Sequence, residues 1–582
     1  MFVEMIINIL KNRIKLIFCV VLLSAFLSLC SIGLFCIKFE FYKFIIIFSI
    51  NVCILTGLMM IIFRKNIYFK KASLFFSSLL LLSINYEVYF KEDWKIITLS
   101  SLTIIFLFLF IEFLLYSICE EKDLLKSNLM KKKSYVKKYH KEICYVVFCF
   151  CLYFLWSCII PYNQVPDEFA RYLIPKYIFN FGHIPTGIEE EVRISNWGFS
   201  YALTPILSYQ ISALFMKIMS IFTISERYLL LAARFTSVLS STVAVVFYFL
   251  IAQKLFKKYF RWVFVVFISI LPQMVFISSY VNNDALAILS SAVIFYGWIL
   301  CLETNWNLKS SILLSVGLGI CALSYMNAYG FILCSVLLYI MDFFTNRKNV
   351  QSKNMIKSGI IIFIICFIIA GWWFIRMGIL YNFDFFGLRT KNLLGEMYAI
   401  DNLKPSNLLT PTKVNMNVID MLFNGFETLP TSWILITYYS FIGCFGYMSI
   451  YLKPLTYFIY TFVFTFCGIM TILNSKNLFR YNNTLEKRKR NWKIMVMLSI
   501  IIPIVLSIWY SYNVDYQPQG RYILPLIVPL MYVLTKGLES GERLFKKEYI
   551  KKYNTIIPFV FVFIFLFLVI MIMTNILMPN YI

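Results

Sequence analysis

The chain has 582 residues, 60% of them hydrophobic and only 14% charged, with a formal net charge of +25. Many apolar runs approach or exceed the roughly 18–20 residues that cross a bilayer, which excludes a soluble protein and predicts an all-α polytopic membrane protein. The positive balance does not point to nucleic acid, because lysines and arginines fall in short clusters between apolar runs, as cytoplasmic loops facing anionic membrane lipids do.

The fifteen cysteines lie mostly inside apolar runs without paired spacing, and His140 and His183 are the two histidines. A disulfide framework and a histidine-rich zinc or haem site are therefore not expected. The first apolar run, Leu16 to about Cys36, follows Lys11, Arg13 and Lys15. It is long for a signal peptide and no small-residue cleavage site follows, so it reads as a retained anchor helix.

Apolar helices are predicted near 16–36, 43–63, 73–90 and 95–118, forming an N-terminal four-helix membrane module over 1–118. A basic linker, 119–142, carries Lys131, Lys132, Lys133, Lys137 and Lys138. The positive-inside rule makes it cytoplasmic, with the N-terminus on the same side. The fifth helix, near 143–160, then runs outward and delivers VPDEFARY, Val165 to Tyr172, to the outer face.

An apolar stretch from Tyr201 to Phe222 is interrupted by Thr204, Pro205, Ser208, Gln210 and Lys217. If it crossed, Lys254, Lys257, Lys258 and Arg261 would face outward; an interfacial helix keeps them inside. Spanning helices follow near 228–251, 262–280, 285–302, 310–326, 327–343 and 358–376. Trp433 to Ile450 again reads as a surface or re-entrant segment, because crossing would expose Lys487, Arg488, Lys489 and Arg490. Helices near 455–474, 494–511 and 520–536 precede a cytoplasmic loop and a last helix within 537–582. The total is about 11 core spans plus about 4 N-terminal ones.

This topology gathers four polar motifs on one face: Asp167, Glu168 and Arg171; Asn282, Asn283 and Asp284; Arg376; and Gln519, Gly520, Arg521 and Tyr522. Each has a plain alternative. The acids after Pro166 can be a solvated helix start favoured by the dipole. Asn282 to Asp284 can cap a helix, and Arg376 can snorkel to headgroups. Taken together, carboxylates supply a general base for a hydroxyl, and arginines hold an anionic phosphate. That chemistry fits transfer from a lipid-linked phosphate donor outside the cytoplasm.

An outward helix ending in an acidic pair, followed by a long outer loop with surface helices, resembles the GT-C class of integral-membrane glycosyltransferases. That class includes protein O-mannosyltransferases and the lipid A aminoarabinose transferase. VPDEFARY, VNNDALA and QGRYILPL are similar, in this order, to the Pro-Asp-Glu-Pro-Ala-His, Asn-Asn-Asp-Ala and Gln-Gly-Arg-Tyr motifs of a bacterial branch of it. Phe169 stands in place of a proline and Arg171 in place of a histidine.

The resemblance covers about Ile143 to Lys536 and marks 143–536 as the catalytic membrane core. It implies that Asp167 is the general base of an inverting transfer and that Glu168 orients the acceptor or a metal. Arg521 would bind the donor phosphate, with Arg171 and Asp284 as further contacts. A divalent cation, Mg or Mn, serves some relatives, and Asp167 and Glu168 would be its ligands.

The expectation is therefore a multi-pass cell-membrane glycosyltransferase with its site on the extracytoplasmic face. Its donor would be a polyprenyl-phosphate-linked sugar, and its acceptor a cell-surface glycan, lipid or protein. A flippase for a lipid-linked glycan is the alternative, but it calls for ionisable groups inside the spans, where few are seen. A polysaccharide polymerase or ligase is a third reading, which would lean on loop arginines.

Overall fold

The computed structural model describes residues 139–581 except 258, 347–350, 427–430, 474–483 and 545–546. The expected N-terminal module and most of the basic linker lie outside the described residues. The chain divides into two compact units, Met1–Pro161 with Phe567–Ile582, and Tyr162–Leu566. In the described part of the first, α1 (His140–Ile159) is a 20-residue apolar helix. It ends where Ile160 turns extended, as the residue before Pro161 is pushed to do.

The second unit begins with α2 (Glu168–Phe181), closed by Gly182 in the left-handed region at φ 75°. Next come α3 (Leu207–Ser220), α4 (Glu226–Leu255), α5 (Phe260–Ser269), α6 (Pro272–Ile277) and α7 (Asp284–Thr304). The chain continues through α8 (Leu308–Ala322), α9 (Gly330–Asn346) and α10 (Gln351–Cys366), which runs through a π turn into α11 (Trp372–Leu380). A loop region carries α12 (Leu388–Tyr398), α13 (Val418–Asn424) and α14 (Trp433–Ile442). A two-residue hairpin, β1 (Cys444–Phe445) with β2 (Ile450–Tyr451), leads to α15 (Pro454–Leu473) and α16 (Thr484–Asn513). A 3-10 segment, Gly520–Leu526, opens α17 (Ile527–Ser540), and α18 (Lys547–Ile572) follows.

Among the described residues, nine helices are long and apolar enough to cross a membrane. Two spans expected from hydropathy differ. The 262–280 run is broken into α5 and α6, because Pro272 cannot continue α5 and instead opens the next helix. Residues 263–290 are all buried, so this irregular backbone at membrane depth is enclosed by protein rather than lipid. The 310–326 run forms α8, which is only 15 residues long. Both apolar stretches read as non-spanning are short helices: α3 has 14 residues and α14 ten. At 1.5 Å per residue α3 reaches about 21 Å, well short of a hydrocarbon core of about 30 Å.

α7 lies at the centre, packed by α4 and α8, while Phe363 on α10 and Phe458 and Phe462 on α15 stay exposed. Such apolar exposure suits a lipid-facing surface. Tyr172 and Ile174 of α2, Tyr209 and Met216 of α3, Ala233 of α4 and Trp373 of α11 share one buried cluster. That cluster fixes the start of α2 against α4 and the loop before α7.

Candidate active site

Asp167 precedes α2 with φ 62° and ψ 5°, the left-handed conformation that Asp tolerates better than most residues. Its Oδ2 accepts a hydrogen bond from Arg521 Nη2 at 2.6 Å and lies 3.6 Å from Arg171 Nη2. The Asp167 side chain keeps 33% of its surface exposed, while Arg171 and Arg521 keep 1% and 4%. Burial works against its charge, but Arg521 and Arg171 outweigh it, and the Tyr201 hydroxyl adds to their effect. The carboxyl is held below its usual range.

Glu168, one residue on, is wholly buried. Arg234 Nε and Nη2 donate to its two oxygens at 2.7 and 2.6 Å, and the Val281 N–H donates to Oε1 at 3.1 Å. Both oxygens are therefore taken by the protein. Arg234 is buried nine residues into the spanning helix α4. The spans thus carry charge that hydropathy did not indicate, and Asp342, in the span over Met326–Thr345, is likewise paired, with Arg488 just ahead of the span that opens at Arg490. Both are matched ion pairs.

Arg171 Nη1 donates to Asn283 Oδ1 at 2.7 Å and to Asp284 Oδ2 at 3.0 Å. The rings of Tyr201 and Tyr325 lie 5.2 and 5.6 Å from its guanidinium carbon. Asn282 faces its own turn: its Nδ2 donates to the Ile277 and Tyr280 carbonyls, and its Oδ1 accepts from the Ala285 N–H. The Asn-Asn-Asp motif thus combines a cap, Asn282, with two acceptors for Arg171.

Gly520 owes its identity to packing. A Cβ there would lie 2.1 Å from the Phe441 nitrogen, so the close approach is to α14 backbone. Its N–H donates to Ser440 Oγ at 2.7 Å. Arg521 then points one nitrogen at Asp167, and its ring neighbour Tyr522 lies 5.1 Å below the guanidinium. Arg521 Nε and Nη1 are buried without a hydrogen-bond partner, and the Tyr280 hydroxyl is close by. Gln519 instead donates to Gln517 beside it.

Arg376 stands apart. Its Nη2 donates to the Pro185 carbonyl at 2.9 Å and braces the Gly182–Gly187 loop rather than the acid cluster. Lys391 on α12 and Asp515 act on the site without having been singled out. Lys391 Nζ sits 4.1 Å from the Phe199 ring centroid. Burial lowers its pKa while Asp515 and Asp167 pull it upward, and burial in turn raises the Asp515 carboxyl. Arg234 could have been found as a lone arginine in an apolar helix. Lys391 offered no such signal, being one of several loop lysines.

Of the ligand set expected for a divalent cation, both Glu168 oxygens are clamped by Arg234, and Asp167 Oδ2 is held by Arg521. Among the described residues, no group of three His, Cys, Asp or Glu is placed to hold a metal.

No curated protein matches the sequence. Among solved structures, the chain is similar to the oligosaccharyltransferase AglB from Archaeoglobus fulgidus, in complex with an inhibitory peptide and a dolichol-phosphate. Identity is 12% and the TM-score 0.45, over 76% of this chain and 57% of that one. It is also similar to ArnT from Cupriavidus metallidurans bound to undecaprenyl phosphate, with 10% identity and a TM-score of 0.43 over 77% and 74%. The chain spans a little over half the length of the archaeal structures that it matches. A family model described as a predicted membrane protein (DUF2142) matches residues 188–530, which include Asn282 to Asp284 and Gln519 to Tyr522 but begin just after Asp167 to Arg171. With more than half of its length matched, the chain belongs to the DUF2142 family of membrane proteins.

Proposed function

We propose that the chain is a GT-C-type glycosyltransferase that moves a sugar from a polyprenyl-phosphate-linked donor to a hydroxyl-bearing acceptor outside the cytoplasm. The acceptor would be a glycan, lipid or protein of the cell surface. The observation that carries this reading is the Arg521 guanidinium. One nitrogen is spent on a partly exposed carboxylate, while two buried nitrogens have no partner in the protein. A buried guanidinium with unused donors suits a planar oxyanion such as a phosphate.

In the proposed reaction, Asp167 takes the proton of the acceptor hydroxyl as that oxygen attacks the anomeric carbon. The bond from that carbon to the phosphate oxygen breaks, and its electron pair leaves with the polyprenyl phosphate. Attack opposite the leaving group inverts the configuration. Arg521 meets the charge that grows on the phosphate. A carboxylate held below its usual pKa is a weak base, but a phosphate that draws Arg521 away relieves part of that hold. Donor binding thus raises the basicity of Asp167 when it is needed. Glu168, with both oxygens held, serves to seat the start of α2, and Arg171 aligns Asp167 with the start of α7.

The test is transfer by the purified protein, using a lipid-phosphate sugar and candidate acceptors, with wild type and Asp167→Asn. Asparagine tolerates the left-handed backbone and keeps the size, but it cannot take a proton. General-base loss predicts a fall in kcat of about 10²–10⁴-fold. Undiminished turnover would remove Asp167 from its role, and movement of the lipid-linked sugar across the bilayer without transfer would replace the enzyme reading with a flippase.

A further inference from the structure

Three oxygens face the Arg171 guanidinium between α2 and α7, so a cation belonging to the chain already stands among them. Asp284 Oδ2 lies 3.0 Å and Asn283 Oδ1 2.7 Å from Arg171 Nη1, and Asp167 Oδ2 lies 3.6 Å from Arg171 Nη2. Two carboxylates and an amide oxygen are the hard donors that Mg or Mn takes. Here the Arg171 guanidinium, 1% exposed and flanked by the Tyr201 and Tyr325 rings, fills their centre. The third carboxylate, Glu168, faces Arg234 with both oxygens. A divalent ion would have to take oxygens from these arginines and would meet two buried positive groups, Arg171 and Arg521, while the buried carboxylate of Glu168 is already neutralised by Arg234.

We propose that Arg171 does the work of a divalent cation at this site, balancing the charge of Asp167 and holding it in line with the start of α7. Transfer then runs without a divalent metal. Arg171 is a positioning residue: its two terminal nitrogens face Asn283, Asp284 and Asp167 and leave only Nε unpartnered, whereas Arg521 keeps both Nε and Nη1 for a phosphate. The inference rests on the glycosyl-transfer reading for its activity measurements alone; its binding measurement is independent of that reading.

Two measurements leave Arg171 unchanged and are made in detergent or nanodiscs. The rate of transfer is compared in excess chelator and with added Mg or Mn, and is expected to agree within about twofold. A rate that collapses in chelator and returns with either ion overturns the proposal. Electron paramagnetic resonance of Mn2+ is expected to show no binding that Asp284→Asn removes; binding that this variant abolishes also overturns it. The Mn2+ result decides the inference even if no donor supports transfer, in which case the preceding reading alone falls.

A third measurement concerns Arg171 itself. Arg171→Gln is expected to lower kcat at least tenfold with the donor KM unchanged. Arg171→Lys, which keeps the charge, shows the same split to a smaller degree and serves where the glutamine variant fails to fold. A raised donor KM with kcat unchanged would put Arg171 on the donor and overturn its positioning role.

Discussion

Asp167 and Glu168 are joined by one peptide bond yet meet opposite surroundings, and their substitutions should separate accordingly. Glu168 is wholly buried against Arg234, so Glu168→Gln strands a buried guanidinium. Breaking one side of such a pair costs about 3–5 kcal/mol, which should appear as a large drop in Tm in detergent. The double change Glu168→Met with Arg234→Met should recover part of it, because an apolar pair of similar volume asks for no desolvation. Asp167→Asn should lower Tm much less, since that side chain is one-third exposed and asparagine still accepts from Arg521. The pH dependence follows from the depressed Asp167 carboxyl. A carboxyl whose folded pKa is lowered adds stability above its unfolded value, and that stability is lost as pH falls through the folded one. In transfer, the acid limb of kcat/KM, which reports the free enzyme, should therefore lie below about pH 4. The limb of kcat, which reports the donor complex, should lie higher, because phosphate competes for Arg521. Coincident limbs near neutrality would point to another base.

At the level of elements, the contact between α14 and the 3-10 segment at Gly520–Leu526 sets where Arg521 stands. Gly520→Ala puts a methyl 2.1 Å from the Phe441 nitrogen and 2.4 Å from its Cα, both backbone atoms that cannot swing aside. Overpacking of this kind costs about 1–3 kcal/mol, and α14 must retreat from the segment. The measurement is Tm together with donor KM, which should rise because Arg521 moves. Ser440→Ala, which removes the acceptor for the Gly520 N–H, should cost only about 1 kcal/mol and leave KM nearly unchanged. This contact also shows where reading the sequence reached its limit. Gly520 was legible as one residue of the Gln-Gly-Arg-Tyr motif, but what requires a glycine there is the α14 backbone, 80 residues away, and no local pattern names a partner at that distance. Glu168 is the same case, since its role is set by Arg234 across the packing of α2 on α4. Asp167, Arg171 and Asp284 were legible because charges beside apolar helices are few. The break in the 262–280 run was hidden by its uniform apolarity, although Pro272 marked it.

At the scale of the whole molecule, α7 offers a direct test of the sidedness that the basic clusters predict. It has 21 residues, roughly 31 Å at 1.5 Å each, enough to cross the hydrocarbon core. Asp284 at its start belongs to the acid cluster, and Glu303 near its end pairs with Lys254 of the basic cluster that closes α4. The two ends therefore face opposite sides, and the positive-inside rule assigns Glu303 to the cytoplasm. Single cysteines at Glu190 and Asp401, both exposed and both in the segments around the site, should react with a membrane-impermeant thiol reagent on intact cells. A cysteine at Glu303, 43% exposed, should react only after the membrane is opened. The native cysteines in the described residues are buried or half-buried, so the unsubstituted protein gives the background. Labelling of Glu303→Cys from outside, with Glu190→Cys and Asp401→Cys protected, would turn the site to the cytoplasm. An acceptor on the cell surface would then be out of reach, and the donor would have to be sought among cytoplasmic sugar carriers.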